Sequence, residues 1–179
     1  MPFAATHILA GIILIELYRE FFIKDNKKFP RYYILIAAFG SIIPDLDFAF
    51  VYILYPLGFT INQLHKTFLH TVFIPLTLLL IGIFLYEFKI KNSEFGKKHL
   101  TLHTTFFILA ATNLLHLILD GLITPIMPFY PISKIYIGLN ILKIFPIGIR
   151  DLILPTFDGI LILFWILWME FKLKVSDYF

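Results

Sequence analysis

The sequence predicts an all-α protein: a polytopic membrane helical bundle of about five transmembrane helices, with its N-terminus outside and its C-terminus inside. Three observations predict it. Of the 179 residues, 59% are hydrophobic and 15% charged, and the mean hydropathy is +0.86. Soluble domains run near about 45–50% apolar and about 25% charged, and need that polar surface to cover themselves. Five apolar stretches each approach the roughly 20 residues that a spanning helix requires. The basic residues fall between those stretches, where they act as topology signals. The length suits one domain, residues 1–179.

The first stretch, 3–23, is interrupted only by Glu16, Arg19 and Glu20. Residues 1–15 hold no Lys or Arg, so there is no positive region of the kind that opens a signal peptide, and the stretch reads as a retained span. The second, 32–54, is broken by Pro44-Asp45-Leu46-Asp47, and the third is 68–88. The fourth is 100–123 and the last is about 152–171. Between these two, 124–149 is rich in Pro, Gly and aromatics, and reads as an irregular or re-entrant segment against the membrane surface.

Orientation follows from Lys and Arg alone. With the N-terminus outside, the inner segments hold Arg19, Lys24, Lys27, Lys28 and Arg31, then Lys89, Lys91, Lys97 and Lys98, then Lys172 and Lys174. The outer segments hold Lys66, Lys134, Lys143 and Arg150. Eleven of the 15 basic residues inside is a clear bias. In this frame the net charge of +3 and pI near 9.0 do not call for nucleic acid; the expected surroundings are membrane lipids. Arg150 and Asp151 read as an interfacial anchor, and Trp165 and Trp168 as an inner aromatic belt.

The same frame gathers the unusual residues on one face. His7 lies near the outer end of the first span, and Asp45 and Asp47 at the break in the second. His65 and His70 sit at the start of the third span, with His65 just ahead of its helix, and His116 and Asp120 near the end of the fourth. His7, His70 and His116 each stand about sixteen or seventeen residues from the inner end of their helices, roughly 25 Å at the helical rise. Broken backbone at that depth is tolerated where it lines a cavity. Each group has a plain structural alternative: a buried His116–Asp120 pair at i, i+4, a turn cap at Asp45 and Asp47, a wet interfacial His65 and His70, a structural His7. Ionisable residues inside a membrane are functional by default, and three carboxylates beside four imidazoles need a cation. With no cysteine, the ligands are nitrogen and oxygen. That donor set suits one to three divalent ions, zinc first and Mn or Mg as alternatives. The predicted metal ligands are His7, Asp45, Asp47, His65, His70, His116 and Asp120, with Asp158 as a further candidate. His99 and His103 map to the inner side and are excluded; Glu16 reads as structural.

These residues occur in the order Thr6-His7, Ile43-Pro44-Asp45-Leu46-Asp47, His65-Lys66-Thr67-Phe68-Leu69-His70-Thr71, and His116-Leu-Ile-Leu-Asp120-Gly-Leu-Ile-Thr124-Pro125 followed by Pro128-Phe-Tyr-Pro131. Over about residues 4–131 this resembles the YdjM-like family of predicted membrane-bound metal-dependent hydrolases, some described as LexA-regulated inner-membrane proteins. The family's block His-Arg-Gly-Phe-Thr-His-Ser has Lys66 and Thr67 here in place of Arg and Gly, and Phe48 stands where the family often carries His after Pro-Asp-x-Asp. The last span carries no motif of the family. A fainter similarity links the order of early His, Asp, His and His-x-x-x-Asp to zinc-dependent phospholipases C and single-strand nucleases.

The expected function is therefore a membrane hydrolase that cleaves a phosphate ester of a lipid or other amphiphile with metal-activated water. Asp47 or Asp45 would serve as general base, and Lys66 would hold the phosphate as a point charge. The segment 124–149 would roof a site facing the extracytoplasmic side of the cell membrane. A metal or proton pathway is the rival reading, but it needs polar groups continuing inward, and Ile8–Ile15, Val72–Leu85 and Phe106–Ala111 offer few. A purely structural metal is the third; seven candidates exceed the four ligands that such a site uses.

Overall fold

A computed structural model describes residues 4–23, 29–59, 65, 67–91 and 102–174. Its order is α1 (Ala4–Tyr18), extended by a π turn (Arg19–Ile23); α2 (Tyr32–Ile42), a 3-10 turn (Ile43–Leu46) and α3 (Asp47–Leu54), closed by a 3-10 turn (Tyr55–Leu57); α4 (Phe73–Lys91); α5 (Leu102–Ile123); a 3-10 turn (Ile141–Ile144); and α6 (Ile147–Leu173). The protein is all-helical; among the described residues the only β pairing is an isolated antiparallel bridge between Ile126 and Ile137. Three helical rods are long and apolar enough to cross a membrane: Tyr32–Leu57, Leu102–Ile123 and Ile147–Lys172. The apolar part of α4, Phe73–Phe88, is shorter, and α1 reaches its charges at Glu16, Arg19 and Glu20.

α5 is the centre, packed against α4, α2 and α1, while α6 leans on α1. Small residues let the inner helices approach, as expected where lipid removes the usual hydrophobic drive between helices. A Cβ on Gly11 would meet Ser41 Oγ at 2.0 Å and the Ala37 carbonyl at 3.3 Å; one on Gly40 would meet Thr112 Oγ1 at 2.3 Å. Toward the end of the bundle where α1 meets its π turn, Ile15, Phe29, Tyr33, Ala37 and Ile108 form a dry core. The outward faces carry exposed Leu80, Phe84, Leu163 and Phe164, apolar groups suited to lipid contact.

Three boundaries differ from the sequence expectation. The third span, expected from 68, becomes helical only at Phe73, after the turns that carry His70. The break at Pro44 is a single 3-10 turn inside a continuous rod, because Pro sits in the turn's first positions, where its missing N–H costs nothing. α6 starts at Ile147 rather than near 152. Pro146 presents a preset φ of −57° just before the helix. The charge of Arg150 does not end the helix, because its Nε and Nη2 donate to the carbonyls of Phe145 and Lys143 at 2.8 and 3.1 Å. The irregular segment is tied down as expected of backbone at membrane depth: Ile126 and Ile137 exchange bonds of 3.0 and 2.8 Å, and Leu139 N–H donates to Gly121 at 2.8 Å.

Candidate metal centre

The centre is assembled from four stretches. α1 supplies His7 in its first turn. The 3-10 turn supplies Asp45, and Asp47 opens α3. His65 and His70 come from the turns ahead of α4. α5 supplies His116 and Asp120, one helical turn apart on one face. All seven fall into three overlapping groups whose ligand atoms lie within 4.8 Å of one another: His7, His116 and Asp120; Asp45, His70 and His116; Asp47, His65 and His70.

Distances separate two roles among the seven. His70 Nε2 is 3.5 Å from both Asp45 Oδ1 and Asp120 Oδ2, His116 Nε2 is 3.6 Å from Asp45 Oδ1, and His7 Nε2 is 3.5 Å from Asp120 Oδ1. These gaps are long for hydrogen bonds. They suit two donors of one ion: ligands about 2.0–2.1 Å from zinc at the tetrahedral angle stand about 3.4 Å apart. The ring nitrogens of His7, the Nε2 atoms of His70 and His116, and Asp45 Oδ1 are buried with no hydrogen-bond partner among the described residues. Desolvated polar atoms without partners are costly, and a shared cation is what this donor set would accept. The residues therefore fit a divalent metal.

By contrast, Asp47 makes contacts of hydrogen-bond length. Its Oδ1 is 2.9 Å from His65 Nδ1 and its Oδ2 is 3.0 Å from His70 Nδ1. Asp45 and Asp47 thus face opposite nitrogens of the one His70 ring. The Ser41 carbonyl accepts from His116 Nδ1 at 2.7 Å. The hydrogen bonds on His65 Nδ1 and His116 Nδ1 suit tautomers that leave Nε2 as the electron-pair donor, while Asp47 Oδ2 faces His70 Nδ1 at ion-pair distance. The rings pack closely, with His7 stacked on His116 at 3.7 Å and His70 edge-on to His116 at 5.3 Å. The His70 turn is held by the irregular segment, whose Pro128 carbonyl accepts from Val72 N–H at 2.9 Å, while Phe68 and Tyr130 meet edge to face. Access is one-sided: the side chains of His7, His70, His116 and Asp120 are 0% exposed, against 15% for Asp45 and 10% for His65.

The remaining expectations divide. Lys66 lies outside the described residues, as does His99. His103 sits away from the centre, against Tyr86 and Phe107. Asp158 does not join the ligand groups; it accepts a hydrogen bond from Thr6, the neighbour of His7. Arg150 Nε and Nη2 donate to backbone carbonyls of Phe145 and Lys143 just ahead of α6. Two contributions escaped the sequence reading: the first is the carbonyl of Ser41, which accepts from His116, and the second is the bond by which Thr6 ties α1 to Asp158 of α6. The first had a visible signal in the small residues Ala37, Gly40 and Ser41 at helical spacing, which marks close helix contact.

A family model, YdjM inner membrane protein, matches residues 1–174. The chain belongs to this family. Curated proteins and solved structures give no match. Membership across nearly the whole chain makes this a membrane protein and extends the kinship past residue 131, so α6, which carries no recognisable motif, is part of the family's architecture.

Proposed function

We propose that this protein is a membrane-bound metal-dependent hydrolase that cleaves a phosphate ester of a lipid or other amphiphile. One observation carries the reading: imidazoles and carboxylates from α1, the 3-10 turn, the turns before α4 and α5 face one another at 3.5–3.6 Å in a water-poor interior. His7, Asp45, His70, His116 and Asp120 would hold the ion, zinc being the best match to three imidazoles with carboxylates. Such an ion, when bound, activates water and polarises a phosphoryl oxygen.

The chain's own residues supply the rest. Asp47 orients two imidazoles and so acts as a positioning residue. Its contact with His65 Nδ1 leaves His65 Nε2 basic at the accessible rim, where it accepts the proton of the attacking water. This assigns the base to His65 backed by Asp47, where the sequence alone pointed to a carboxylate. Exposed Phe48 packs against His65 and exposed Phe68 lies two residues before His70, aromatics that suit an acyl or prenyl tail. With the N-terminus outside, that rim meets the outer head-group region. The dry core of Ile15, Phe29, Tyr33, Ala37 and Ile108 disfavours a through-membrane pathway.

Metal analysis of purified protein tests the foundation, comparing wild type with His116→Ala and Asp45→Ala, followed by a screen of lipid phosphates. Stoichiometric metal in the wild type, its loss in both variants and metal-dependent phosphate release are expected. A metal-free wild type removes the basis of the proposal.

A further inference from the structure

A second polar cavity lies at the far end of the bundle, between α1 with its π turn, α2 and α6. It encloses about 460 Å³ and is lined by Glu16, Arg19, Arg31, Trp165, Trp168 and Lys172, among others. That volume is within the range of small-ligand pockets. Its chemistry is divided. Lys172 is committed: it donates to Glu20 and its ammonium lies 5.6 Å from the Trp168 ring centroid. Glu16 Oε2 and the Trp165 indole Nε1 are buried atoms with no hydrogen-bond partner among the described residues. Arg19 and Arg31 line the same cavity as Glu16. The cavity therefore offers an acceptor for an N–H donor beside guanidinium and indole donors for an anion.

We propose that this cavity binds a lipid head group that carries both a phosphodiester and a primary ammonium, as in an ethanolamine phospholipid. The phosphate meets Arg31 and the Trp165 N–H, for which guanidinium geometry is suited. The ammonium meets Glu16 Oε2. A quaternary choline has no N–H for that oxygen, and the face of Trp168 that would attract it already has Lys172 over it. The position agrees with the ligand: the tryptophans and basic residues form the belt expected at head-group level, and the neighbouring outer faces of α1 and α6 are apolar. The site is separate from the metal centre and does not depend on hydrolase activity.

The test uses the delipidated full chain in detergent and native mass spectrometry, with ethanolamine, choline and glycerol phospholipids of identical acyl chains. About tenfold stronger retention of the ethanolamine lipid over the choline lipid is expected, the scale of one charged hydrogen bond. Glu16→Gln should erase that preference yet keep the glycerol lipid. Arg31→Gln, at an exposed position that tolerates substitution, should weaken the ethanolamine and glycerol lipids alike, so the test stays decisive if Glu16→Gln fails to fold. Equal retention of ethanolamine and choline lipids, or no effect of either folded variant, overturns the proposal. Displacement of the lipid by millimolar inorganic phosphate identifies a free-anion site and overturns it too. Monodisperse elution and an unchanged melting temperature in detergent serve as the folding control for both variants.

Discussion

At the residue scale the centre rests on how one imidazole is held. His70 has Asp47 at 3.0 Å on Nδ1 and two carboxylates at 3.5 Å around Nε2. The first contact is a hydrogen bond in length and the other two are not, so in the proposed centre Asp47 would support while Asp45 and Asp120 would coordinate. Asp47→Asn keeps the shape but supplies a weaker acceptor to both His65 and His70. A loss of about ten- to a hundredfold in metal affinity is expected, read by chelator competition, against complete loss of stoichiometric metal in His116→Ala. His65→Gln separates binding from chemistry: metal content should hold, while turnover falls by about a hundredfold and the pH–rate profile loses its acidic limb. A variant that loses metal as well would move His65 into the coordinating set.

Elements are positioned by small residues and polar staples. α1 carries His7 at the right distance only because Gly11 lies flush against Ser41 and Ala37 of α2. Gly11→Leu forces these helices apart, with an expected destabilisation of about 1–3 kcal/mol visible as a lower melting temperature in detergent. Because Ser41 also holds His116 through its carbonyl, the same variant should lose metal affinity, whereas a lipid-facing Leu163→Ala should leave it intact. α6 is attached differently. Thr6 donates to Asp158 near one end and Lys172 to Glu20 near the other. A double-mutant cycle of Thr6→Val and Asp158→Asn should return a coupling energy on the order of 1 kcal/mol; additivity would mean that Asp158 does not hold α1.

For the whole molecule, those two staples speak to topology. Both join residues 152 positions apart, so α1 and α6 run parallel and in register. Parallel first and last spans fit an odd number of crossings, as the five-span, N-out arrangement requires. Cysteine labelling in intact cells checks it: Lys134→Cys should react with an impermeant reagent, and Lys174→Cys only after permeabilisation. The reverse pattern would turn the metal centre toward the cytoplasm and change the substrate leaflet.

Much of this was legible because the physics acts along the chain. Apolar length measures a bilayer crossing, Lys and Arg report sidedness, and His116-x-x-x-Asp120 shares a face by helical period alone. From these the sequence determined the helical class, the approximate spans and the residues that gather at one end. The tertiary structure alone decided how they are arranged. Asp45 and Asp47, two positions apart and chemically identical, stand on opposite sides of the His70 ring because of the 3-10 turn between them. Likewise the carbonyl of Ser41, the tie from Thr6 to Asp158 and the cavity around Glu16 arise from contacts between helices remote in sequence. Periodicity fixes which face a residue occupies, but the partner waiting there is set by packing in three dimensions.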